Sequence, residues 1–183
     1  MTPTDDVLEL VVQDHAEIKT LMNELANAPA AQDIFERLVA KLATHETAEE
    51  EVVHPLARRE AGADAVVDQL LEEESKGKEA LAELEKIGVT DPQFASKFER
   101  VRSEVLRHAE HEEHDEHPRI RASVDADRLN RAAGIFETAQ KIGPTHAHAH
   151  APESATGNVV VGTFVAVADR VRDAVRDATK KAG

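Results

Sequence analysis

Apolar residues recur along the first two thirds of the chain at three- and four-residue spacing, the pattern of amphipathic helices. Four such stretches are separated by short breaks, and each predicts a helix packed through its apolar face. Short connections between four helices predict an all-α fold with an up-down-up-down bundle. The predicted inward positions are, helix by helix, Leu8, Val11, Ile18, Met22 and Leu25; Phe35, Leu38, Leu42, Val52 or Val53, and Leu56; Val67, Leu70 or Leu71, Leu81 and Leu84; and Phe94, Phe98, Val101 and Val105.

Short polar residues, glycine and proline mark the helix ends. Asp6 with Glu9 three residues later is a capping-box pattern that begins the first helix, and Pro29 ends it. Gly88 ends the third helix, since glycine is the residue most often found just past a helix end. The other predicted bounds are residues 31–59 for the second helix, 64–87 for the third, and Asp91 as N-cap with Pro92 at the first position of the fourth.

The pattern changes beyond residue 125. A short helix is predicted over residues 128–141, and the following GPTHAHAHAPESATG indicates an extended linker. A last amphipathic helix, over residues 158–180, is expected to dock on the bundle or on another subunit as a homo-oligomer. Its apolar stripe is Val161, Phe164, Val165, Ala168, Val171 and Val175. The predicted domains are the bundle (1–125), a short helix with linker (126–157) and an additional C-terminal helix (158–183).

Two of the predicted helices carry the same run of titratable residues. HETAEEEVVHP begins at His45, and HAEHEEHDEHP begins at His108. In both, a Glu follows the first His by four positions, so imidazole and carboxylate lie on one helix face about 6 Å apart. His15 and Glu74 interrupt the other two apolar stripes at a similar height. The candidate metal ligands are therefore His15, His45, Glu49, Glu74, His108 and Glu112.

Such groups cost several kcal/mol each in an aliphatic core unless something pairs with them. Two metal ions would satisfy all six together. The chain contains no cysteine, so the ligands must be imidazole and carboxylate, which suit iron, manganese or zinc. Glu49 and Glu112 are natural bridging ligands, because a carboxylate can bind one metal ion through each oxygen. For Glu74, an ion pair with Lys78 four residues later is the alternative explanation.

Other histidines and acids near these runs have simpler interpretations. His54 and His117 lie nine residues past the first His of each run, a rotation of about 180° on an ideal helix. This places both away from the ligands unless the following Pro55 and Pro118 distort the helices. Glu50 and Glu113 are expected to bond to the ligands or to face solvent, and His111 and His114 to face solvent. The HAHAHA tract, with His146, His148 and His150, is expected to bind metal adventitiously or not at all.

Charge and composition narrow the class of partner. The formal net charge is −14, from 22 Lys and Arg against 36 Asp and Glu, which disfavours nucleic acid and anionic membranes. The first residues, MTPTDDVLEL, lack the basic and apolar regions of a signal peptide, and no stretch approaches eighteen consecutive apolar residues. We therefore expect a cytoplasmic protein that is neither secreted nor inserted in a membrane.

The stretches QDHAEI, HETAEEEVVHPL and HAEHEEHDEHPRI resemble a hemerythrin-like (HHE cation-binding) domain over about residues 5–125. The resemblance implies a four-helix bundle with two iron ions, oxo- or hydroxo-bridged when oxidised, with manganese or zinc as alternatives. It also implies a small-molecule ligand: dioxygen, peroxide or nitric oxide. The ligands that it assigns in this chain are His15, His45, Glu49, His108 and Glu112.

The third helix departs from the family pattern. The family has one or two histidines there, whereas LEEESKGKEALAEL has none; Glu74 takes the place, with Ser75 or Glu79 as weaker choices. Exchanging a neutral imidazole for a carboxylate lowers the net charge of the site by one, which favours ferric iron. We therefore predict oxidase- or peroxidase/catalase-like redox chemistry. The alternative is a non-enzymatic module that binds, senses or stores dioxygen, nitric oxide or iron.

Overall fold

The computed structural model describes residues 5–142 and 161–182, with side chains for 5–141 and 167–181. Its regular elements are all helical, so the predicted all-α class is confirmed. None of the helices in these described ranges combines the length and apolarity needed to cross a membrane. The elements are α1 (Val7–Asn27), α2 (Gln32–Ala48), the π-helical turn π1 (Glu49–Val53), α3 (His54–Ala61), α4 (Asp64–Ile87), α5 (Phe94–His111), the π-helical turn π2 (Glu112–Glu116), α6 (His117–Ser123), α7 (Ala126–Ile142) and α8 (Val161–Ala182).

The second predicted helix is one continuous rod made of α2, π1 and α3. In π1 the backbone N–H of His54 donates to the carbonyl oxygen of Glu49, five residues back. Pro55 follows at once, and a proline ring in a regular α-helix clashes with the carbonyl group four residues earlier. The wider π turn relieves that clash. The rod of α5, π2 and α6 repeats the arrangement before Pro118.

The helix ends follow local chemistry. The Asp6 carboxylate accepts the N–H of Glu9 at 3.2 Å, and Glu9 accepts the N–H of Asp6 at 3.0 Å, so the predicted capping box is present. The third helix has its predicted bounds. The fourth, however, begins at Phe94 rather than at Pro92. The reason is that the Asp91 carboxylate accepts the N–H two residues later at 2.7 Å, which closes a turn before the helix starts.

The bundle consists of four rods, which are α1, α2–π1–α3, α4 and α5–π2–α6. Their predicted inward residues are buried, apart from the half-buried Leu56, Leu71 and Val105. Apart from Leu70, they belong to two hydrophobic clusters. One joins the start of α1 to α3, α6, α7 and α8, and the other joins the end of α1 to the start of α2, α4 and α5. On α1, Val11 belongs to the first cluster and Ile18 to the second. The boundary between the clusters therefore falls near the middle of the bundle.

The helices beyond the bundle pack on the same chain. Helix α7 contacts α1 and α2, and α8 lies against α2 and α7. Val167, Ala168, Val171 and Val175 are buried there, as predicted for Ala168, Val171 and Val175. The side chains of Val161, Phe164 and Val165, and the HAHAHA tract, lie outside the described residues. The described part of the stripe is covered by its own chain, so the homo-oligomer and the domain bounds stay predictions.

Candidate metal centre

All six candidate ligands are buried at the boundary between the two hydrophobic clusters. The carboxylates of Glu49 and Glu112 have no exposure at all, at 0% each. The six residues come from well-separated parts of the sequence. Helices α1 and α4, the α2–π1–α3 rod and the α5–π2–α6 rod bring them to one region. They are His15, His45, Glu49, Glu74, His108 and Glu112.

Four of them form one group. The ligand atoms of His15, His45, Glu49 and Glu112 lie within 4.8 Å of one another. His15 Nε2 lies 3.1 Å from Glu112 Oε2, and His45 Nε2 lies 3.2 Å from Glu49 Oε2. His15 Nε2 is also 4.0 Å from Glu49 Oε1. Two imidazole nitrogens and two carboxylates thus converge from three helical rods as a ligand set for one metal ion.

A second group consists of Glu74, His108 and Glu112. His108 Nε2 lies 3.4 Å from Glu112 Oε1 and 4.0 Å from Glu74 Oε1. Glu112 therefore belongs to both groups and turns one oxygen to each, which is the geometry of a bridging carboxylate. Glu49 belongs to the first of these groups and not to the second, so its predicted bridging role stays a prediction.

Six ligand atoms of four of the candidate residues lack hydrogen-bond partners. Burying a polar atom without a partner costs about 1–3 kcal/mol, so several together need an explanation. Cations placed between the two groups would satisfy them, and the mixture of nitrogen and oxygen donors fits a first-row transition metal. The ligand atoms concerned are His15 Nε2, His108 Nε2 and both carboxylate oxygens of Glu49 and Glu112; His45 Nδ1, Glu46 Oε2, Glu116 Oε2, His117 Nε2 and Arg102 Nε are also buried without a partner.

The electrostatics of the centre also favour a cation. Burial and the neighbouring charge of Glu112 raise the pKa of Glu49 well above its ordinary value. Burial opposes ionisation of Glu112 too, but His108 and His15 hold its pKa well below the usual range. Burial alone would lower the pKa of His108, whereas the charges of Glu112 and Glu74 raise it to about 9. In the metal-free centre, protonated imidazole thus balances the negative charge of the carboxylates. A bound metal ion would take over that role.

Each of the three ligand histidines has a carboxylate behind it. His15 Nδ1 lies 2.8 Å from Glu113 Oε1, and His108 Nδ1 lies 3.3 Å from Glu73 Oε2. His45 Nδ1 lies 3.4 Å from Asp14 Oδ2. A carboxylate on the outer ring nitrogen fixes the ring and leaves the inner nitrogen free for a metal ion. Of the two alternatives given for Glu113, bonding to a ligand is the one present. Asp14 and Glu73 were not predicted, because no motif marks them.

His54 lies inside the centre and not where an ideal helix would place it, which is the alternative foreseen for a helix distorted near Pro55. The π1 turn adds a residue to the helical turn and rotates everything after it. His54 Nδ1 donates to Glu116 Oε1 at 2.8 Å, and Nε2 donates to Glu74 Oε1 at 2.9 Å. Burial would lower the pKa of His54, but these two carboxylates raise it to about 10. His54, Glu112 and Glu116 form a third group capable of holding a metal ion.

His117 is likewise buried, at 7% exposure, where the ideal-helix expectation had turned it away from the ligands. It follows π2 as His54 follows π1. Its Nε2 has no hydrogen-bond partner, and burial lowers its pKa to about 4. His117 is not a member of the metal-capable groups among the described residues, so it remains outside the proposed ligand set.

Glu74 has partners of its own besides the candidate metal. Its Oε2 accepts from Lys78 Nζ at 3.1 Å, so the ion pair considered as the alternative is present. Lys78 also bonds to Glu50 Oε1 at 2.5 Å. The weaker choices, Ser75 and Glu79, are both exposed and cannot reach the centre. Glu74 therefore remains the candidate on α4, with its Oε1 facing His54 and His108 and its Oε2 held by Lys78.

A small cavity of about 30 Å³ reaches the centre beside His45 and His108. Ile18, Leu42 and Val105 supply much of its apolar wall. A cavity of this size has room for a molecule comparable to about two or three waters, since a single water needs roughly 10–15 Å³ of probe-occupied volume. The centre is thus open to ligands of a few atoms.

Comparison with known proteins finds a family model, related sequences and a solved structure of similar fold. The family model for the hemerythrin HHE cation-binding domain matches residues 6–120. An uncharacterised hemerythrin-like protein from Schizosaccharomyces pombe is 24% identical over 91% of this chain and 85% of its own length. A DNA nickase from a Nostoc species is 26% identical over 74% of this chain, but the match covers only 39% of that protein.

Among solved structures, a hemerythrin HHE cation-binding domain protein from Mycobacterium kansasii has a TM-score of 0.66. The two share 16% identity, over 75% of this chain and 86% of the other, so the likeness shows a common fold. The family match covers the four rods that carry every candidate ligand, and α7 and α8 follow it. This chain belongs to the hemerythrin HHE cation-binding domain family.

Proposed function

We propose that the chain holds two iron ions between its two hydrophobic clusters and reacts there with peroxide or dioxygen. The observation that carries the proposal is the set of buried ligand atoms without hydrogen-bond partners on His15, Glu49, His108 and Glu112. These residues belong to two ligand groups that have Glu112 in common. His15, His45 and Glu49 would hold one ion, and His108 and Glu74 the other. Bound iron would supply the electrons for reducing an oxygen-derived ligand.

Redox turnover is favoured over reversible carriage by the charge of the ligand set. Glu74 brings a third carboxylate to the centre in addition to Glu49 and Glu112. An anionic ligand set stabilises ferric iron and so disfavours the release of intact dioxygen. Manganese and zinc suit the same donor types, but zinc has no redox chemistry and would not support this function.

The surrounding residues restrict what enters. The apolar walls formed by Ile18, Leu42 and Val105 admit small ligands such as hydrogen peroxide, dioxygen or nitric oxide. Nucleic acid is not proposed as a partner, because the net charge of −14 repels phosphate. The DNA-directed activity in the name of the Nostoc relative is therefore not carried over. A cytoplasmic location is part of the proposal.

The first test is disproportionation of hydrogen peroxide, because its products, water and dioxygen, require no added reductant. Iron-loaded protein is mixed with peroxide while dioxygen release and visible absorption are followed. We expect sustained dioxygen release by the wild type, loss of it in Glu112→Ala, and normal release by Glu110→Ala, whose side chain is exposed on the same rod.

Two outcomes would contradict the proposed reaction. Equal release by Glu112→Ala and the wild type would show that the peroxide chemistry does not occur at this centre. A spectral change on adding dioxygen to the reduced protein that reverses fully when dioxygen is removed, without turnover of peroxide, would instead support the non-enzymatic binding or sensing module.

A further inference from the structure

We propose that Asp14 is a positioning residue for His45, and that helix α7 fixes it through Gln140. This inference rests on the proposed metal centre, and it assigns part of that centre to a helix beyond the family match at residues 6–120. His45 is one of the two imidazoles in the first ligand group.

The two nitrogens of the His45 ring face in opposite directions. Nε2 points to the centre, 3.2 Å from Glu49 Oε2, while Nδ1 points away, 3.4 Å from Asp14 Oδ2. Nδ1 is a buried atom without a hydrogen-bond partner, and Asp14 Oδ2 is the carboxylate oxygen within reach of it. The edge of His15 packs against this ring with centroids 4.9 Å apart, which limits other rotations. Asp14 is the carboxylate placed to set which nitrogen carries the hydrogen.

Asp14 is held in place by hydrogen bonds from two other helices. Lys41 Nζ donates to Asp14 Oδ1 at 2.6 Å, and Gln140 Nε2 donates to Oδ2. Lys41 Nζ also reaches Gln140 Oε1 at 3.3 Å, which closes a ring of three contacts. Asp14 is only 8% exposed, so these bonds are shielded from water. A carboxylate fixed from both sides can orient an imidazole, whereas a mobile one cannot.

Helix α7 also has a docking contact away from the metal centre. Arg128 Nη2 lies 2.8 Å from Oε1 of Glu60 on α3, and this ion pair includes none of the candidate ligands. That pair offers a matched control, because losing it weakens docking without altering Asp14. If Gln140 only docked α7, the two contacts would have the same effect on the centre.

The test uses the full chain and two readouts. Nitrogen NMR of isotopically labelled histidine in metal-free protein reports which ring nitrogen of His45 is protonated. Competition with a chelator reports Fe²⁺ affinity. We expect the wild type to carry its hydrogen on Nδ1. We expect Asp14→Ala to shift it toward Nε2 and to weaken Fe²⁺ binding by roughly 10- to 100-fold, the usual effect of removing such a partner.

The conservative variant keeps the test decisive if Asp14→Ala folds poorly. Asp14→Asn retains an acceptor oxygen without the charge, and we expect values between those of the wild type and Asp14→Ala. Gln140→Ala should move in the same direction, and Glu60→Gln should leave both readouts unchanged.

Two results would overturn the inference. An unchanged His45 tautomer and Fe²⁺ affinity in both Asp14 variants would remove Asp14 from the centre. Equal behaviour of Gln140→Ala and Glu60→Gln would reduce α7 to a docking helix. Failure of the proposed function is distinguishable, because the wild type would then bind no iron while the tautomer in metal-free protein would still decide the role of Asp14.

Discussion

Glu112 connects the two ligand groups, since its Oε2 faces His15 and its Oε1 faces His108. We expect Glu112→Gln to lose both ions, because an amide offers one weak neutral oxygen where two anionic oxygens stood. His108→Gln should lose mainly the ion of the second group. Elemental analysis of iron per chain after gel filtration measures both. Glu110→Gln, exposed on the same rod, serves as the control, and full iron content in Glu112→Gln would contradict the bridging assignment.

Glu85 gives a pH-dependent prediction away from the centre. Burial raises its pKa to about 7, and no charged group among the described residues offsets that effect. A carboxyl group whose pKa is raised in the folded state binds more protons there than in the unfolded chain, so stability falls as pH rises from about 4.5 through about 7. Glu85→Gln should therefore stabilise the protein at pH 8 by about 1 kcal/mol, a value reduced for partial solvent screening, and change little at pH 4.

Urea unfolding at the two pH values checks the effect of Glu85. The control is Glu83→Gln on the same helix, where an exposed carboxylate pairs with Lys97 Nζ at 2.6 Å. Its loss should change stability little and, if at all, in the destabilising direction. Equal stability of Glu85→Gln and the wild type at pH 8 would show that this carboxyl group ionises without cost.

At this scale the sequence identified the ligand candidates better than their supports. The four-residue spacing of His45 with Glu49, and of His108 with Glu112, forces each pair onto one helix face whatever the rest of the fold does. Asp14 and Glu116 carry no such local signal, because their partners lie in other helices. Only the packed structure brings Glu116 to His54, 62 residues earlier.

The π turns are the elements that set the composition of the centre. Deleting Glu51, an exposed residue of π1, should convert the turn to regular α-helix and rotate the residues after it by about 100°. His54 would leave Glu74 and Glu116, and those buried carboxylates would lose a charged partner. We expect a loss of stability of about 3 kcal/mol or more, together with weaker metal binding.

Thermal unfolding and iron retention measure the effect of this deletion. Glu51→Ala is the matched control, since it removes the same exposed side chain but keeps the length of the turn. Glu51 Oε1 lies 3.7 Å from Arg172 Nε at the surface. Loss of this ion pair should change the stability of the protein little. A deletion variant as stable and as metal-rich as Glu51→Ala would show that the π turn does not position His54.

Helix existence followed directly from apolar periodicity, whereas the π turns did not. The sequence did contain one indication of π1. The apolar pattern was equally consistent with Val52 and with Val53 as the inward residue. Both are buried, at 7% and 0% exposure, because a widened turn brings two adjacent residues to the inner side. The following Pro55 supplies the physical cause. An ambiguity of phase just before a proline is thus a usable signal for this element.

The whole molecule is larger than the four-rod bundle, because α7 and α8 share one of its two hydrophobic clusters. Val171 on α8 is fully buried there, at 0% exposure. Val171→Ala should lower the free energy of unfolding by about 2 kcal/mol, through lost burial and the cavity left behind. Urea unfolding measures this change.

Val12→Ala is the control for that substitution, since Val12 is 41% exposed and the same two methyl groups are removed. It should change stability by no more than about 0.5 kcal/mol. Equal effects of the two substitutions would mean that α8 does not contribute to the folded core.

The amphipathic pattern of α8 predicted a docking face, but a pattern alone does not say which surface that face covers. The docking site depends on the outer face of α2, which is apolar around Ala40 and Ala43.

The central claim is that two metal ions lie between the clusters on either side of the Glu112 carboxylate. Anomalous X-ray diffraction at the iron absorption edge, on crystals of the iron-loaded chain, tests it most directly. We predict two anomalous peaks, one beside His15, His45 and Glu49 and one beside His108 and Glu74. A core without anomalous signal, or iron found only on surface histidines, would contradict the account.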